Sequence, residues 1–263
     1  MTPEAVAGYL DRIGADRPAQ LDAEALRDLH VRHQRSVPFE NLSIHLGEPV
    51  VLDEAALVEK IVARRRGGFC YELNGAFAAL LSALGFEVSL LGASTFADGL
   101  ALPPLVHMAV RVDLPDGPWL ADVGFGRGFA YHPLRLDDRS DQLDREGTFR
   151  LSETGSGDLL LTCDGAPKYR LETRPRLLTE FEPTCWWTQT SPRSRFTGSL
   201  VCSLVTGDGR LTLSGNELAR TRDGVRHEET LADEAVLPAY RELFGITLEE
   251  APRVRPQEPV LSR

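Results

Sequence analysis

The first third of the chain carries apolar residues at three- and four-residue steps, which predicts amphipathic helices over about residues 1–85. Leu26 and Leu29 mark one apolar face. Asp53 stands where it would cap another helix, whose inner face includes Leu57. This part of the chain is therefore expected to be helical.

A cysteine stands at the start of the last of these predicted helices. In Arg66-Gly67-Gly68-Phe69-Cys70 a glycine-rich turn leads into a helical apolar pattern, which Gly85 ends. The apolar positions of that pattern are Leu73, Phe77, Leu80, Leu81 and Leu84. A thiol at a helix N-terminus faces unpaired N–H groups and the positive end of the helix dipole, which favours thiolate. Cys70 is therefore a candidate nucleophile, although free cysteines are more often small buried hydrophobic residues.

The middle of the chain changes to short alternating runs broken by glycine, proline and aspartate, which predicts a small β-barrel or sheet. Residues 137–158 are rich in Asp, Gly and Ser and predict an exposed loop with one strand at 148–151. Further on, the pattern predicts strands and then a helix over about 231–243, which Pro238 is expected to start or break.

A predicted hairpin brings a histidine and an aspartate together. Residues 105–112 alternate like a strand that carries His107 on one face, and a turn at 115–118 leads to a second strand ending near Asp122. With an even-length loop, His107 and Asp122 share a face as direct or diagonal neighbours. Taken singly, His107 could be an ordinary strand histidine and Asp122 a cap at the end of a strand. Together with Cys70 they predict a Cys-His-Asp triad.

Composition excludes several classes of protein. A net charge of −10 argues against non-specific nucleic-acid binding. Residues 1–20 lack the basic and apolar segments of a secretory signal, and no apolar run approaches the ~18 residues of a membrane span. The four cysteines are too scattered for a disulfide framework. A reducing cytoplasm is therefore the expected location, with no membrane partner.

Other candidate motifs are weaker. The segment from Gly124 to Gly128 lacks the GxGxxG spacing and the following helix of a dinucleotide site. His30 and His33 are three residues apart on a predicted helix, but no third ligand is near, so we interpret them as packing or surface residues and expect no metal site. Trp186 and Trp187 are expected to belong to the core, and the alternative is an aromatic platform.

Several segments taken together resemble the arylamine N-acetyltransferases, in the order found in that family. The similarity extends from about Leu21 to about Leu213. The segments are Pro38-Phe39-Glu40-Asn41-Leu42, Arg66-Gly67-Gly68-Phe69-Cys70, Leu105-Val106-His107, Asp122-Val123-Gly124-Phe125-Gly126, and Trp186-Trp187 followed by Ser191-Pro192-Arg193-Ser194-Arg195-Phe196.

The resemblance implies an α+β fold with a cysteine-protease-like Cys-His-Asp core. Residues 1–85 would form a helical bundle that carries the nucleophile, 86–190 a β-barrel that carries the histidine and aspartate, and 191–263 an α/β lid. The active cleft would lie between the first two. The motifs do not specify an oligomeric state.

The same resemblance implies acetyl transfer from acetyl-CoA to the nitrogen of arylamines, arylhydrazines or N-hydroxyarylamines. The reaction would be ping-pong, through a thioester on Cys70, with His107 and Asp122 completing the triad. Acetyl-CoA would be a cosubstrate, and no tightly bound cofactor is expected. Two alternatives share the triad: an amide synthase that closes a macrolactam from a carrier-bound acyl chain, and a cysteine hydrolase.

Residues around the triad receive expected roles from the same motifs. Phe39, Phe125 and Phe196 match aromatic positions that line the acceptor pocket in the family, where a flat apolar slot suits an aromatic ring. Gly126 and Arg127 belong to a loop that would border this pocket or approach coenzyme A, and the alternative is a plain turn with a solvated arginine.

Glu40 and Arg66 are expected to have a structural role near the active turn. A bidentate pair between them would fix the loop that carries Cys70. The alternative is two unrelated solvated charges.

Overall fold

The computed structural model describes residues 1–97 and 99–254. The C-terminal part of the predicted lid, residues 255–263, lies outside the described residues. Within the described ranges, no helix combines the length and the apolar character that crossing a membrane requires.

The first third of the chain is helical, as predicted. Its helices are α1 (Pro3–Ile13), α2 (Ala23–Ser36), α3 (Leu42–Leu46), α4 (Glu54–Val62) and α5 (Cys70–Leu84). Asp53 caps α4 by accepting from the N–H groups of Ala55 and Ala56. Gly85 ends α5 with a φ of 108°, a conformation that favours glycine. The short strand β1 (Phe39–Glu40) lies between α2 and α3.

An antiparallel sheet follows α5. Its strands are β2 (Glu87–Ala97), β3 (Leu100–Ala101), β4 (His107–Leu114), β5 (Gly117–Ala121), β6 (Leu134–Arg135), β7 (Gln142–Asp144), β8 (Gly147–Glu153), β9 (Leu159–Cys163) and β10 (Ala166–Arg176). They pair in the order β6-β5-β4-β2-β10-β9-β8-β7, with β3 beside β2. β8 contains the strand predicted at 148–151, and the rest of the predicted loop at 137–158 carries a second strand, β7, which forms a hairpin with β8.

The two ends of this sheet approach each other. The Gln142 side chain accepts from the backbone N–H of Arg135 at 2.7 Å and donates to its carbonyl at 2.9 Å. These two bonds link β7 to β6, so the sheet is nearly closed into a barrel.

The last third adds helices and a smaller sheet. The 3₁₀ turn Leu178–Phe181 precedes α6 (Glu182–Thr190) and α7 (Arg195–Gly198), then come β11 (Cys202–Val205), β12 (Gly209–Ser214), β13 (Glu217–Arg222), β14 (Val225–Thr230) and α8 (Asp233–Phe244). β1 pairs with β11 at the edge of this sheet.

Pro238 neither starts nor breaks α8, so that prediction was wrong. It lies inside the helix. The carbonyl left without its helical N–H partner belongs to Glu234, which is exposed near the helix N-terminus, so water can satisfy it at little cost.

Among the described residues, three clusters of buried apolar side chains hold these layers together. Met108 and Val110 of β4 pack on the helices around α5, whereas Ala109 faces the barrel interior, because successive side chains of a strand point to opposite faces. Leu42 of α3 belongs to the third cluster, under the C-terminal sheet. Helices, barrel and C-terminal sheet thus share cores, and the predicted domain boundaries stay a prediction.

Candidate active site

Cys70 is the first residue of α5, and only 5% of its surface is exposed. The preceding Phe69 has extended backbone angles, and its N–H donates to the Glu72 carboxylate at 3.1 Å. This bond caps the N-terminus of the helix. The sulfur of Cys70 lies 3.8 Å from the carbonyl oxygen of Val106. The thiol therefore stands where a helix end meets the wall of the barrel.

His107 and Asp122 come together through the predicted hairpin. β4 and β5 are joined by the two-residue turn Pro115-Asp116, an even-length loop. Ala121 pairs with Val110, which places Asp122 diagonally across from His107. Nε2 of His107 lies 2.7 Å from Oδ2 of Asp122. The other ring nitrogen, Nδ1, is left to face the thiol, and the thiol interacts with this imidazole.

The Asp122 carboxylate accepts hydrogen bonds on both oxygens. Oδ1 accepts from the Asn74 amide at 2.8 Å and from the backbone N–H of Gly124 at 3.0 Å. Oδ2 accepts from His107 and from the Tyr169 hydroxyl, the latter at 3.3 Å. These donors fix the carboxylate and stabilise its charge although only 2% of Asp122 is exposed.

The electrostatics favour a charged imidazole. Burial alone would lower the pKa of His107, but the Asp122 carboxylate, with help from Cys70, raises it to about 10. Burial alone would raise the pKa of Asp122, but His107 and its other donors hold that pKa below its usual value. The pair is therefore an imidazolium and a carboxylate at neutral pH.

Gly124 allows the barrel and the helix to meet at this point. A Cβ atom there would lie 2.7 Å from Cα of Cys70 and 2.8 Å from the amide nitrogen of Asn74. Any side chain at this position would push the hairpin away from α5. The glycine is thus needed for a close approach of two backbones.

A pocket of about 100 Å³ opens over the thiol. Aromatic side chains line much of it: Phe39, Phe125, Trp187 and Phe196. In the described part of the chain, none of its lining residues is an aspartate or glutamate. The pocket has room for a small group, since a cavity of roughly 10–15 Å³ is enough to hold one water.

A larger outer cleft, of about 590 Å³, continues from this pocket past Phe39 and Phe125, which line both. Its cations are Arg127, Lys168, Arg195 and Arg226. The outer cleft is therefore suited to an anionic group.

The pair expected from Glu40 and Arg66 forms, and both side chains are buried. Nε and Nη2 of Arg66 both bond the same oxygen, Oε1 of Glu40, at 3.0 and 2.9 Å. The other oxygen accepts from the backbone N–H of Leu42 at 2.6 Å. The geometry is therefore not the expected bidentate one, because the backbone occupies the second oxygen.

Comparison with known proteins decides the family. A protein family described as N-acetyltransferase matches residues 22–254. An arylamine N-acetyltransferase of Mycolicibacterium smegmatis is 38% identical over 253 residues, which cover 92% of each chain. The chain belongs to the arylamine N-acetyltransferase family.

Solved structures of the family confirm the predicted α+β fold with its barrel-like sheet and cysteine-protease-like core. That of the Mycobacterium smegmatis arylamine N-acetyltransferase matches with a TM-score of 0.84 at 39% identity, covering 92% of each chain. The Mycobacterium marinum arylamine N-acetyltransferase, solved in complex with CoA, matches with a TM-score of 0.83 at 33% identity, again over 92% of each chain. The chain is thus an N-acetyltransferase, and the amide-synthase and hydrolase alternatives are not favoured.

The remaining residues of the family's motifs lie at different places around the thiol. Arg127 lines the outer cleft and not the pocket over the thiol, and its role there stays a prediction. Gly126 packs against the Phe39 ring, where a Cβ atom would lie 3.3 Å away. Trp186 is 67% exposed, so the prediction that it is a core residue was wrong, whereas its neighbour Trp187 is half-buried and lines the pocket.

Three residues that bond Asp122 were not predicted from the sequence. Asn74 and Tyr169 bond Asp122, as described above. His30, interpreted as a packing or surface residue, is fully buried, and its Nε2 accepts from the backbone N–H of Asp122 at 3.2 Å. Only Asn74 gave a signal in the sequence, since it lies one helical turn after Cys70.

Within residues 1–97 and 99–254, no group of three or more His, Cys, Asp or Glu side chains is placed to hold a metal ion. The absence of a metal centre stays a prediction.

Proposed function

We propose that this enzyme moves an acetyl group from acetyl-CoA to the nitrogen of arylamines, arylhydrazines or N-hydroxyarylamines, through a thioester on Cys70. The observation that carries the proposal is the buried arrangement of Cys70, His107 and Asp122 beneath an aromatic pocket. Such a thiol and imidazole can form a nucleophilic pair, oriented by the carboxylate.

In the first half-reaction, Nδ1 of His107 holds the proton of Cys70, and the thiolate attacks the acetyl thioester of acetyl-CoA. The backbone N–H of Cys70, at the N-terminus of α5, is placed to stabilise the oxyanion that forms. Collapse of this intermediate expels coenzyme A as a thiol, to which His107 returns the proton. The product is acetyl-Cys70.

In the second half-reaction, the acceptor nitrogen attacks the acetyl thioester. His107, neutral at this stage, takes a proton from the nitrogen and returns one to the sulfur as the thioester bond breaks. Both half-reactions use the same pocket in turn, so the kinetics are ping-pong.

Phe39, Phe125 and Phe196 are proposed to hold the acceptor ring. Phe196 lies 6.2 Å from Phe39 between ring centroids, and Phe125 lies 5.3 Å from the His107 ring, so the aromatic faces surround the reacting groups. Aromatic contacts contribute about 0.5–1.5 kcal/mol beyond area burial. Rings bearing an amino group would therefore be favoured over aliphatic amines.

The phosphates of acetyl-CoA are proposed to lie in the outer cleft, where Arg127, Lys168 and Arg226 supply positive charge in a chain of net charge −10. The binding of CoA to the Mycobacterium marinum relative supports a CoA-linked donor. Acetyl-CoA enters and leaves as a cosubstrate, with no tightly bound cofactor. The four cysteines are free thiols, which fits the proposed reducing cytoplasm.

Glu40 and Arg66 are proposed to support the turn that carries Cys70. The carbonyl of Gly68, in that turn, accepts from the backbone N–H of Glu40 at 2.8 Å. Removing Arg66 would leave the buried carboxylate of Glu40 without this ion pair, whereas removing Glu40 would leave Arg66 its second pair, with Glu48 at 3.1 Å.

The experiment is a turnover assay with acetyl-CoA and p-anisidine, hydralazine or 5-aminosalicylate. The enzyme should release coenzyme A and N-acetylated product in equal amounts, and Cys70→Ala should abolish both. Cys185→Ala is the matched control, because Cys185 is a buried core residue whose thiol pKa is raised by burial. Activity in Cys70→Ala, or release of coenzyme A and acetate without acetylated amine, would contradict the proposal.

A further inference from the structure

His30 contacts the backbone beneath the proposed triad. It lies on α2, fully buried, and its Nε2 accepts the backbone N–H of Asp122 at 3.2 Å. Asp122 directly follows Ala121, the last residue of β5. The strand ladder has ended there, so a side chain from the helical layer holds the amide instead.

The second nitrogen of His30 makes a second backbone bond. An N–H can only donate, so Nε2 must carry a lone pair and Nδ1 must carry the proton in the neutral ring. Nδ1 donates to the carbonyl of Tyr131 at 3.1 Å. The amide nitrogen of Gln34, one turn further along α2, lies 2.9 Å from Nδ1 and donates to the same carbonyl at 3.1 Å. Burial lowers the pKa of His30 to about 4, so the ring is neutral at physiological pH.

The two bonded backbone groups are the two ends of one loop. Residues 122–131 leave β5 and return to α2, and between them lie Gly124, which packs on Cys70, and Phe125, which packs against His107. One imidazole therefore joins the base of the loop that shapes both the triad and the aromatic pocket.

We propose that His30 is a positioning residue that holds the two ends of the 122–131 loop together. The bond at Nε2 fixes the position of Asp122, and the bond at Nδ1 fixes the part of the loop that lines the acceptor pocket. This rests on the proposed function. The two halves of the bridge can be separated, because a glutamine amide reaches the position of Nε2 and an asparagine amide reaches that of Nδ1.

The test measures the two half-reactions separately, with p-nitrophenyl acetate as a donor that lacks coenzyme A. His30→Asn, which loses the acceptor for Asp122, should slow acetylation of Cys70 about tenfold, since small misplacements of catalytic groups cost one to two orders of magnitude. His30→Gln keeps that acceptor and loses the Tyr131 bond. It should acetylate within about twofold of wild type while the KM for p-anisidine rises about fivefold.

His33→Gln is the matched control. His33 lies on the same helix, is equally buried, and bonds the Tyr9 hydroxyl at 2.9 Å instead of the loop. Per folded molecule it should keep both half-reactions. The proposal is overturned if His30→Asn is acetylated at the wild-type rate, or if His33→Gln loses as much as His30→Asn.

The positioning role and the proposed function fail differently. If wild-type Cys70 accepts no acetyl group, the proposed function is wrong. Alkylation of Cys70 by iodoacetamide still tests His30 in that case, because it reports the thiolate that His107 and Asp122 sustain. Alkylation slowed about tenfold in His30→Asn and restored in His30→Gln supports the role, and equal rates overturn it.

Discussion

His107 and His30 both contact Asp122 and are both buried, yet their pKa values move in opposite directions. Burial lowers the pKa of each. His107 also bonds the carboxylate of Asp122 directly, and its pKa rises to about 10. Of Asp122, His30 contacts the backbone N–H and not the carboxylate, and its pKa falls to about 4. A direct bond to the charged oxygen therefore decides the protonation state, and proximity to the aspartate does not.

The two histidines that contact Asp122 therefore have different roles. The imidazole on the side-chain carboxylate can hold and release a proton, as the proposed reaction requires. The imidazole on the backbone stays neutral and acts as a fixed acceptor and donor. Changes to either partner of Asp122 should therefore have distinguishable consequences.

The largest effect is expected for Asp122→Asn, which removes the charge that makes His107 differ from His30. The amide cannot hold the imidazole in the required tautomer, and kcat/KM for acetyl transfer should fall by about 10⁴. Steady-state kinetics with acetyl-CoA and p-anisidine measure this.

Asp113→Asn is the control for that substitution. Asp113 is on the same hairpin but pairs with Arg111, at 2.7 Å, away from the pocket. Its activity should stay near that of wild type. A loss in Asp122→Asn no greater than in Asp113→Asn would remove the basis for the comparison.

A smaller effect is expected in the pH dependence of stability. The folded-state pKa of His107 is raised, so its contribution is fully present below 6.5 and is lost as the pH rises toward about 10. The folded-state pKa of His30 is depressed, so its contribution is present above 6.5 and is lost as the pH falls toward about 4. Each histidine changes the unfolding free energy by at most about 1.4 kcal/mol per pH unit.

Urea unfolding at a series of pH values gives the unfolding free energy as a function of pH, with an acid limb that depends on His30 and an alkaline limb that depends on His107. His107→Gln should flatten the alkaline limb, and His30→Gln should flatten the acid limb. His227→Gln, at an exposed strand position, should leave both unchanged. If His107→Gln changed only the acid limb, the assignment of the charged imidazole would be wrong.

The sequence predicted those parts of the site that depend on local patterns. The helix at Cys70 follows from apolar spacing and two glycine signals, and the diagonal placement of His107 and Asp122 follows from strand alternation and an even-length turn. Both need only neighbouring residues. The catalytic roles of the three residues stay predictions.

What the sequence did not predict depends on contacts between distant segments. His30 and Asp122 are 92 positions apart, and no periodicity links a residue of α2 to the end of β5. Tyr169 reaches Asp122 across the barrel from 47 positions away. Likewise β7, one of the two strands inside 137–158, has the largely polar sequence Gln142–Asp144, and its pairing with β8 overrides that local preference.

The most direct test of the account is the mass of the protein after incubation with acetyl-CoA in the absence of any acceptor. We predict one added acetyl group, located on the peptide that contains Cys70 and absent in Cys70→Ala. Addition of p-anisidine should remove it and yield one equivalent of N-acetylated amine. Formation of acetylated amine from enzyme that never carries acetyl on Cys70 would contradict the thioester mechanism.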